Sequence, residues 1–280
     1  MTDRRLLPAN SRVAHVSLKG RVAADRYVTG EPARIARPVT DLLSRPDGPR
    51  DRQLLMGEPV LVLERLDRHA FLQAGKDGYC GYVALDALGP DVTVTHRITA
   101  PATHLYATPS IKRHEVTGLS FGCLVAIAGQ DGRFGVTDQG LYVPAVHLGP
   151  IDKRQDDPVT VAEMFLGTPY LWGGNSRGGI DCSGLVQAAL LACGVPCPGD
   201  SDLQWAAVGR QLAAEDGLQR GDLLFWKGHV AMVTGPDRMI HANGFRMAVT
   251  YEGIEEAMAR IRAQEGDTYL GARRPGPFSR

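Results

Sequence analysis

The sequence predicts an α+β chain in which two small β-barrels precede a half built of helices first and an antiparallel meander second. Three observations carry this. Residues 31–150 break into short apolar runs, among them "EPVLVLERL", "GYCGYVAL", "CLVAIAG" and "LYVPAVHL", separated by Gly, Pro and Asp. Short strands at close spacing with turn residues between them are the pattern of small barrels. Residues 158–280 instead carry helical stretches and then closely spaced strands. A polar joint, "GPIDKRQDDPV" (149–159), lies between the two halves.

Taken in order, residues 1–30 read as a lead-in segment packed on the first barrel. The barrels are expected over 31–90 and 91–150, with a break near Gly89–Asp91. The stretches "DGYCGYVALDAL" (77–88) and "DQGLYVPAVHL" (138–148) repeat one pattern of turn, aromatic, valine and apolar exit. The second half, 158–280, opens on "TVAEMFLGTPY", where Thr160 is the expected N-cap and Glu163 stands at capping-box spacing. A glycine-rich loop, "WGGNSRGG", leads to a helix over 182–193 and a second helix over 200–212. Strands "DLLFW", "HVAMVT" and "RMIHANG" follow, then a last helix at 254–264.

Thirty-one basic and 31 acidic side chains leave no net charge, which removes the electrostatic case for nucleic acid or an acidic membrane surface. No run approaches the roughly 20 apolar residues of a membrane span, and "MTDRRLLPANSRVAH" has no apolar stretch of signal-peptide length behind it. Five cysteines without framework spacing suit a reducing compartment, so the expectation is a soluble, cytoplasmic protein.

Cys182 is the residue on which a functional reading turns. Asp181 is a good N-cap, "CSGLVQAALLACG" has helical composition, and Gly194 stands at a C′ position. A thiol at a helix N-terminus gains from the dipole and its unpaired N–H groups, while Asp181 beside it acts in the opposite sense. A nucleophilic thiol also needs a base. His229 enters a strand straight after a turn and His241 sits in the next strand, close enough in a short hairpin to orient the first ring. Histidine pairs on neighbouring strands are common, so spacing alone leaves Cys–His–His catalysis and a satisfied core both open. Cys193 shares a helix face with Val186 and Ala189 and reads as core. The "CGVPC" spacing lacks a second pair for zinc and is not C-x-x-C, so no metal, cofactor or redox motif is expected.

The segments "TPYLWGGNSRGGIDCSGLVQ", "GDLLFWKGHVAMV" and "MIHANG", in this order, resemble the NlpC-type cysteine peptidases, a reduced papain-like fold acting on bacterial cell-wall peptides. With two SH3-like barrels before them, the chain is similar to γ-D-glutamyl-L-diamino acid endopeptidases of the dipeptidyl-peptidase VI type. The resemblance implies Cys182 as nucleophile, His229 as general base and acid, His241 as the orienting group, and Tyr170 with the Cys182 N–H as oxyanion donors. It implies Asp200 and Ser201 as the pocket for a free N-terminal amine, lined also by Asp181, Ser183 and Trp172. It implies an aromatic from the first barrel closing that pocket, with Tyr79 the first candidate, Tyr82 the second, and a barrel-core role the alternative for each. Relatives usually carry Pro-Arg-Asp-Ser where this chain has Pro198-Gly199-Asp200-Ser201, so the resemblance implies the loss of either a cation or a structural anchor beside the pocket.

The expected reaction is hydrolysis of the bond between γ-D-Glu and a diamino acid in a murein peptide with a free N-terminal L-Ala, in cell-wall peptide recycling. The expected protein is a monomer or weak oligomer with no nucleic-acid or membrane partner. An amidase or acyltransferase with the same triad, and a catalytically inactive peptidoglycan-binding adaptor, are the alternatives. Transfer to an added amine marks the first, and binding to sacculi without hydrolysis the second.

Overall fold

The computed structural model describes residues 3–213 and 215–276. They form two compact units, residues 1–152 and 153–280. In the first, an antiparallel sheet runs in the order Arg50–Leu55, Val39–Leu43, Cys80–Ala84, His69–Ala74, Pro59–Arg65, Glu31–Ile35 and Leu88–Gly89. Alternate residues of these strands close on a core that includes Ile35, Leu42, Leu54, Val62, Leu72 and Val83. Two further sheets, drawn from residues 96–150, surround Ile98, Leu105, Leu119, Cys123 and Val143, and Leu55 of the preceding sheet joins that cluster. Gly57 makes the joint possible. It has φ +79°, and a Cβ there would lie 2.2 Å from the Leu124 carbonyl oxygen.

The repeated pattern corresponds to a repeated piece of backbone. Cys80–Ala84 and Tyr142–Pro144 are each followed by a single 3₁₀ turn, Leu85–Ala87 or Ala145–His147, and then by a short closing strand. The lead-in segment is tied to the first sheet by charge. Arg12 and Arg26 both reach the buried carboxylate of Glu64, Asn10 bridges Glu64 and the Tyr82 hydroxyl, and Arg4 pairs with Asp51.

In the second unit, helix α1 (Pro158–Glu163) is capped by Asp157, not by Thr160. Asp157 accepts from the Val159 N–H and from the Thr160 hydroxyl, and Pro158 fills the first position, where no N–H is needed. Glu163 makes no capping box; it accepts from the Tyr251 hydroxyl. Helix α2 (Cys182–Ala192) is almost wholly buried, and Gly194, with φ +76°, turns the chain out of it. Helix α3 spans only Ser201–Ala207, shorter than the sequence pattern predicts. The next residues leave the helix because Arg210–Gln211 pair with Arg273–Arg274 at the sheet edge.

The sheet of this unit runs Arg210–Gln211, Tyr269–Arg274, Leu223–Trp226, His229–Gly235, Arg238–Asn243 and Ala248–Gly253. The last four are the expected meander with one further hairpin, and Tyr269–Arg274 returns beside Leu223–Trp226 after helix α4 (Ile254–Glu265). Ile254, Ala257 and Ile261 of α4 cover Leu224, Trp226, Ala231, Val233 and Met239. Helix α2 packs against the two histidine-bearing strands.

Candidate active site

The site grows from the start of α2. Asp181 is its N-cap, and its carboxylate accepts from the Gly184 N–H at 2.6 Å, the Ser183 hydroxyl at 2.9 Å and the Gly173 N–H at 2.9 Å. One side chain thus ties the glycine-rich loop to the helix. Gly184 is the residue that lets them meet: a Cβ there would lie 2.5 Å from both the Asn175 Oδ1 and the Gly174 carbonyl oxygen. The same loop carries Tyr170, whose N–H donates to the Met247 carbonyl at 2.9 Å, and Trp172, which is 69 % exposed.

Across from the helix, Trp226 and His229 face each other over the two-residue turn Lys227–Gly228. His229 is half-buried, its ring centroid 5.7 Å from that of Trp226. The next residue acts on the thiol, because the Val230 N–H favours the Cys182 thiolate. His229 Nε2 lies 2.9 Å from His241 Nδ1, so the hairpin does bring the two rings into contact. His241 is fully buried, and its Nε2 lies 3.0 Å from Glu252 Oε2 in a bent charge contact. Arg260 of α4 grips Glu252 through two bonds of 2.8 Å.

The electrostatics differ from the sequence expectation for the thiol. Burial first, and then the charge of Asp181, push Cys182 up to about 12, outweighing the N–H groups of Val230, Ser183 and Cys182 itself. Capping therefore does not remove Asp181's opposition. Burial, His241 and Arg260 push His229 down to about 3, against the pull of Glu252. Each group alone is held neutral. Moving one proton from thiol to imidazole creates two charges that stabilise each other, so the pair ionises as a unit. Tyr170 is raised by burial and by the charges of Cys182 and Asp181, which keeps its hydroxyl a donor at neutral pH. Burial raises Glu252, but contact with His241 and Arg260 overrides this and holds it down to about 2.

Asp200 and Ser201 open α3. Asp200 has φ +60° and ψ 139°, a strained conformation for a residue with a Cβ, and its side chain does not cap the helix it precedes. Ser201 and Gly199 are buried. Gln204, with no exposed surface, donates from Nε2 to the carbonyls of Ser183 at 2.8 Å and Pro198 at 3.0 Å. It locks the Pro198–Ser201 turn to the first turn of α2. Gln187 does the same from within α2, donating to the Cys197 carbonyl at 2.9 Å. Ser183 itself is buried and donates to Asp181.

The barrel aromatics are a correction. Tyr79 is 2 % exposed inside the first sheet's core, with the Arg52 guanidinium 5.6 Å from its ring centroid. Tyr82 is also buried, packed on Phe71 at 5.0 Å. Both fill the barrel-core role, and neither offers a ligand appreciable surface. Glu252, Arg260, Gln204 and Gln187 escaped the sequence reading. Gln187 had a signal, a polar residue amid the apolar run "GLVQAALL". Glu252 and Arg260 had none, because only the pairing of strand, neighbouring strand and helix brings them to His241.

Residues 167–265 match the NlpC/P60 family, and residues 42–88 match the bacterial dipeptidyl-peptidase SH3 domain. The chain is 33 % identical over 215 residues to a γ-D-glutamyl-L-lysine dipeptidyl-peptidase of Bacillus subtilis, spanning 68 % of this chain and 71 % of that one. The chain belongs to the NlpC/P60 family. It is also 26 % identical over 228 residues to dipeptidyl-peptidase 6 of Lysinibacillus sphaericus, covering 73 % and 84 % of the two chains. A crystal structure of an NlpC/P60 protein from Bacillus cereus shares its fold, with a TM-score of 0.73 at 23 % identity over 89 % of this chain and all of the other. The protein is accordingly a cysteine peptidase of the NlpC/P60 family carrying an N-terminal SH3-like domain.

Proposed function

We propose that the protein cleaves the amide between γ-D-Glu and a diamino acid in short murein peptides whose N-terminal L-Ala amine is free. The observation that carries this is the 2.9 Å contact between His229 and His241, on the two strands against which the helix begun by Cys182 packs. Relatives named for γ-D-glutamyl-L-lysine dipeptides support the substrate class.

In the proposed sequence the thiol proton passes to His229 as the sulfur attacks the γ-amide carbonyl carbon. The oxyanion accepts from the Cys182 N–H, one of the helix's unpaired donors, and from the neutral Tyr170 hydroxyl. His229 then protonates the departing amine, leaving a thioester. Water, deprotonated by the same ring, releases the L-Ala-D-Glu dipeptide and restores the thiol. Asp200 supplies the acceptor for the substrate ammonium, because a compact cation selects a carboxylate. Ser201, beside it, and Trp172, exposed on the glycine-rich loop, complete the proposed pocket, with Asp181 and Ser183 holding its floor. A free amine arises only once the peptide has left its glycan, so the reading extends to recycling of released fragments. The five free thiols suit a cytoplasmic setting for it.

The test compares free L-Ala-γ-D-Glu-diamino acid tripeptide with its N-acetyl form. The free peptide is expected to be cut and the acetylated one to react at least about 100-fold more slowly. Equal rates overturn the amine pocket. Unchanged turnover by Cys182→Ala overturns the nucleophile.

A further inference from the structure

His241 is a fully buried ring with His229 Nε2 at 2.9 Å from its Nδ1 and, in a bent charge contact rather than a hydrogen bond, Glu252 Oε2 at 3.0 Å from its Nε2. A neutral imidazole carries one N–H, and an ionised carboxylate can only accept. If the hydrogen sat on Nδ1, the Nε2 lone pair would face the carboxylate oxygen at 3.0 Å. For the neutral ring the hydrogen therefore belongs on Nε2, toward Glu252. His241 Nδ1 is then an acceptor, and the hydrogen in the contact between the rings belongs to His229 Nε2. This leaves His229 Nδ1 as the bare nitrogen of the chain, the atom available to take a proton.

From this we infer that Glu252 is a positioning residue which, held by Arg260, sets the tautomers of both histidines and so selects Nδ1 of His229 as the base. The groups facing the ring pair come from every element around it: Glu252 from the neighbouring strand and Arg260 from α4, with Trp226 against His229. Arg260 binds both Glu252 oxygens in a fork, so the carboxylate cannot turn away from His241. Glu252 also favours the imidazolium that forms on proton transfer, and replacing its charge destabilises that cation. A glutamine there can present its NH₂ to His241, which reverses both tautomers and places a hydrogen on the base nitrogen.

The inference rests on Cys182 and His229 being the reacting pair, and its test needs no substrate. Imidazole ¹⁵N spectra of the wild-type protein read each ring nitrogen as bare or protonated. The expected spectrum has both histidines protonated at Nε2 alone; an Nδ1–H tautomer for either ring, or a doubly protonated His241, overturns the assignment. The rate of Cys182 alkylation by iodoacetamide, followed by mass spectrometry against pH, then reads the charge. Glu252→Gln is expected to slow alkylation at neutral pH at least about tenfold, with the histidine-dependent limb moved to lower pH. Glu252→Asp is expected to recover part of the rate. With peptide substrate the Gln variant is expected to lose about 100-fold or more in kcat, the cost of a wrong tautomer in such a triad, with KM within about threefold. Alkylation within twofold of wild type across the pH range, or equal impairment of Gln and Asp variants, assigns Glu252 a structural role only and overturns the inference.

Discussion

Two buried carboxylates, one in each unit, are held by arginine and yet serve different ends. Glu64 in the first unit is met by Arg12, Arg26 and Asn10, and all its neighbours are fixed donors. Glu252 in the second has one fixed cation, Arg260, and on its other side a titratable ring that continues to His229. A buried acid enclosed by permanent donors is a staple. A buried acid that shares its charge with a histidine pair couples the fold to a proton. The difference lies in what stands on the second side of the carboxylate, since their side chains are 4 % and 6 % exposed.

The strongest way to break this comparison is to remove the proton carrier from one unit and the staple from the other. His229→Asn is expected to lower kcat/KM by about 10³-fold or more while the melting temperature stays within a few degrees. Glu64→Gln is expected to leave kcat unchanged and to cost about 1–2 kcal/mol of stability. The figure is modest because Arg12 and Arg26 are about half exposed and can return their charge to water. Steady-state kinetics beside thermal melts separate the two. If Glu64→Gln costs as much kcat as stability, the division into staple and relay is wrong.

A smaller effect tests the geometry behind the relay. Gly184→Ala places a methyl against the Asn175 amide oxygen and the Gly174 carbonyl, both 2.5 Å away. The helix start must shift, and the thiol with it. A displacement on the ångström scale costs about 100-fold in kcat, with KM nearly unchanged. Activity within threefold of wild type is the result that rejects this tight seat.

Acid should distinguish the units by order of unfolding. His229 falls from 6.5 to about 3 on folding, so the unfolded chain binds that proton first and stability declines as pH drops from about 6.5 toward 3. Glu252, depressed from 4.5 to about 2, adds stability that is lost as pH falls between those values. Arginine contacts also depress Glu64, so its contribution is lost as pH falls from the ordinary value of 4.5 toward its lowered one, well below where the loss from His229 begins. All three tryptophans, Trp172, Trp205 and Trp226, belong to the second unit. Tryptophan fluorescence is therefore expected to change at higher pH than far-ultraviolet circular dichroism, and His229→Asn is expected to bring the two closer. Coincident transitions in the wild type contradict the scheme.

Legibility followed the range over which each interaction acts. Helix α2, its start at Cys182 and its exit at Gly194 were readable because capping, apolar run and terminal glycine are local signals. The histidine hairpin was readable for the same reason, two strand patterns with a short turn. The tyrosines of the first sheet were not, because a family likeness marks an aromatic without saying whether a core or a cleft receives it. The lower thiol pKa expected of a helix start failed on burial, which no local pattern reports. Glu252 and Arg260 became visible only when strand Ala248–Gly253 and α4 were in place, since the ties that matter run across the sheet.

The smallest effect bears on one such local signal. Thr160 and Asp157 both suit a helix start, and a capping-box reading favours Thr160 because Glu163 follows three residues later. The chain uses Asp157, whose carboxylate also binds Arg220 of the segment before the central strands at 2.7 Å. Asp157 can therefore satisfy the helix N–H and an arginine together, which a threonine hydroxyl cannot. Asp157→Ala is expected to cost about 1–2 kcal/mol, a lost cap plus a half-exposed ion pair. Thr160→Ala should cost no more than about 0.5 kcal/mol, since its hydroxyl donates to Asp157 and accepts one long 3.5 Å contact from Arg220 but caps no helix N–H. Denaturant melts of the two variants decide it: a larger loss for Thr160→Ala returns the cap to the residue the local pattern favours.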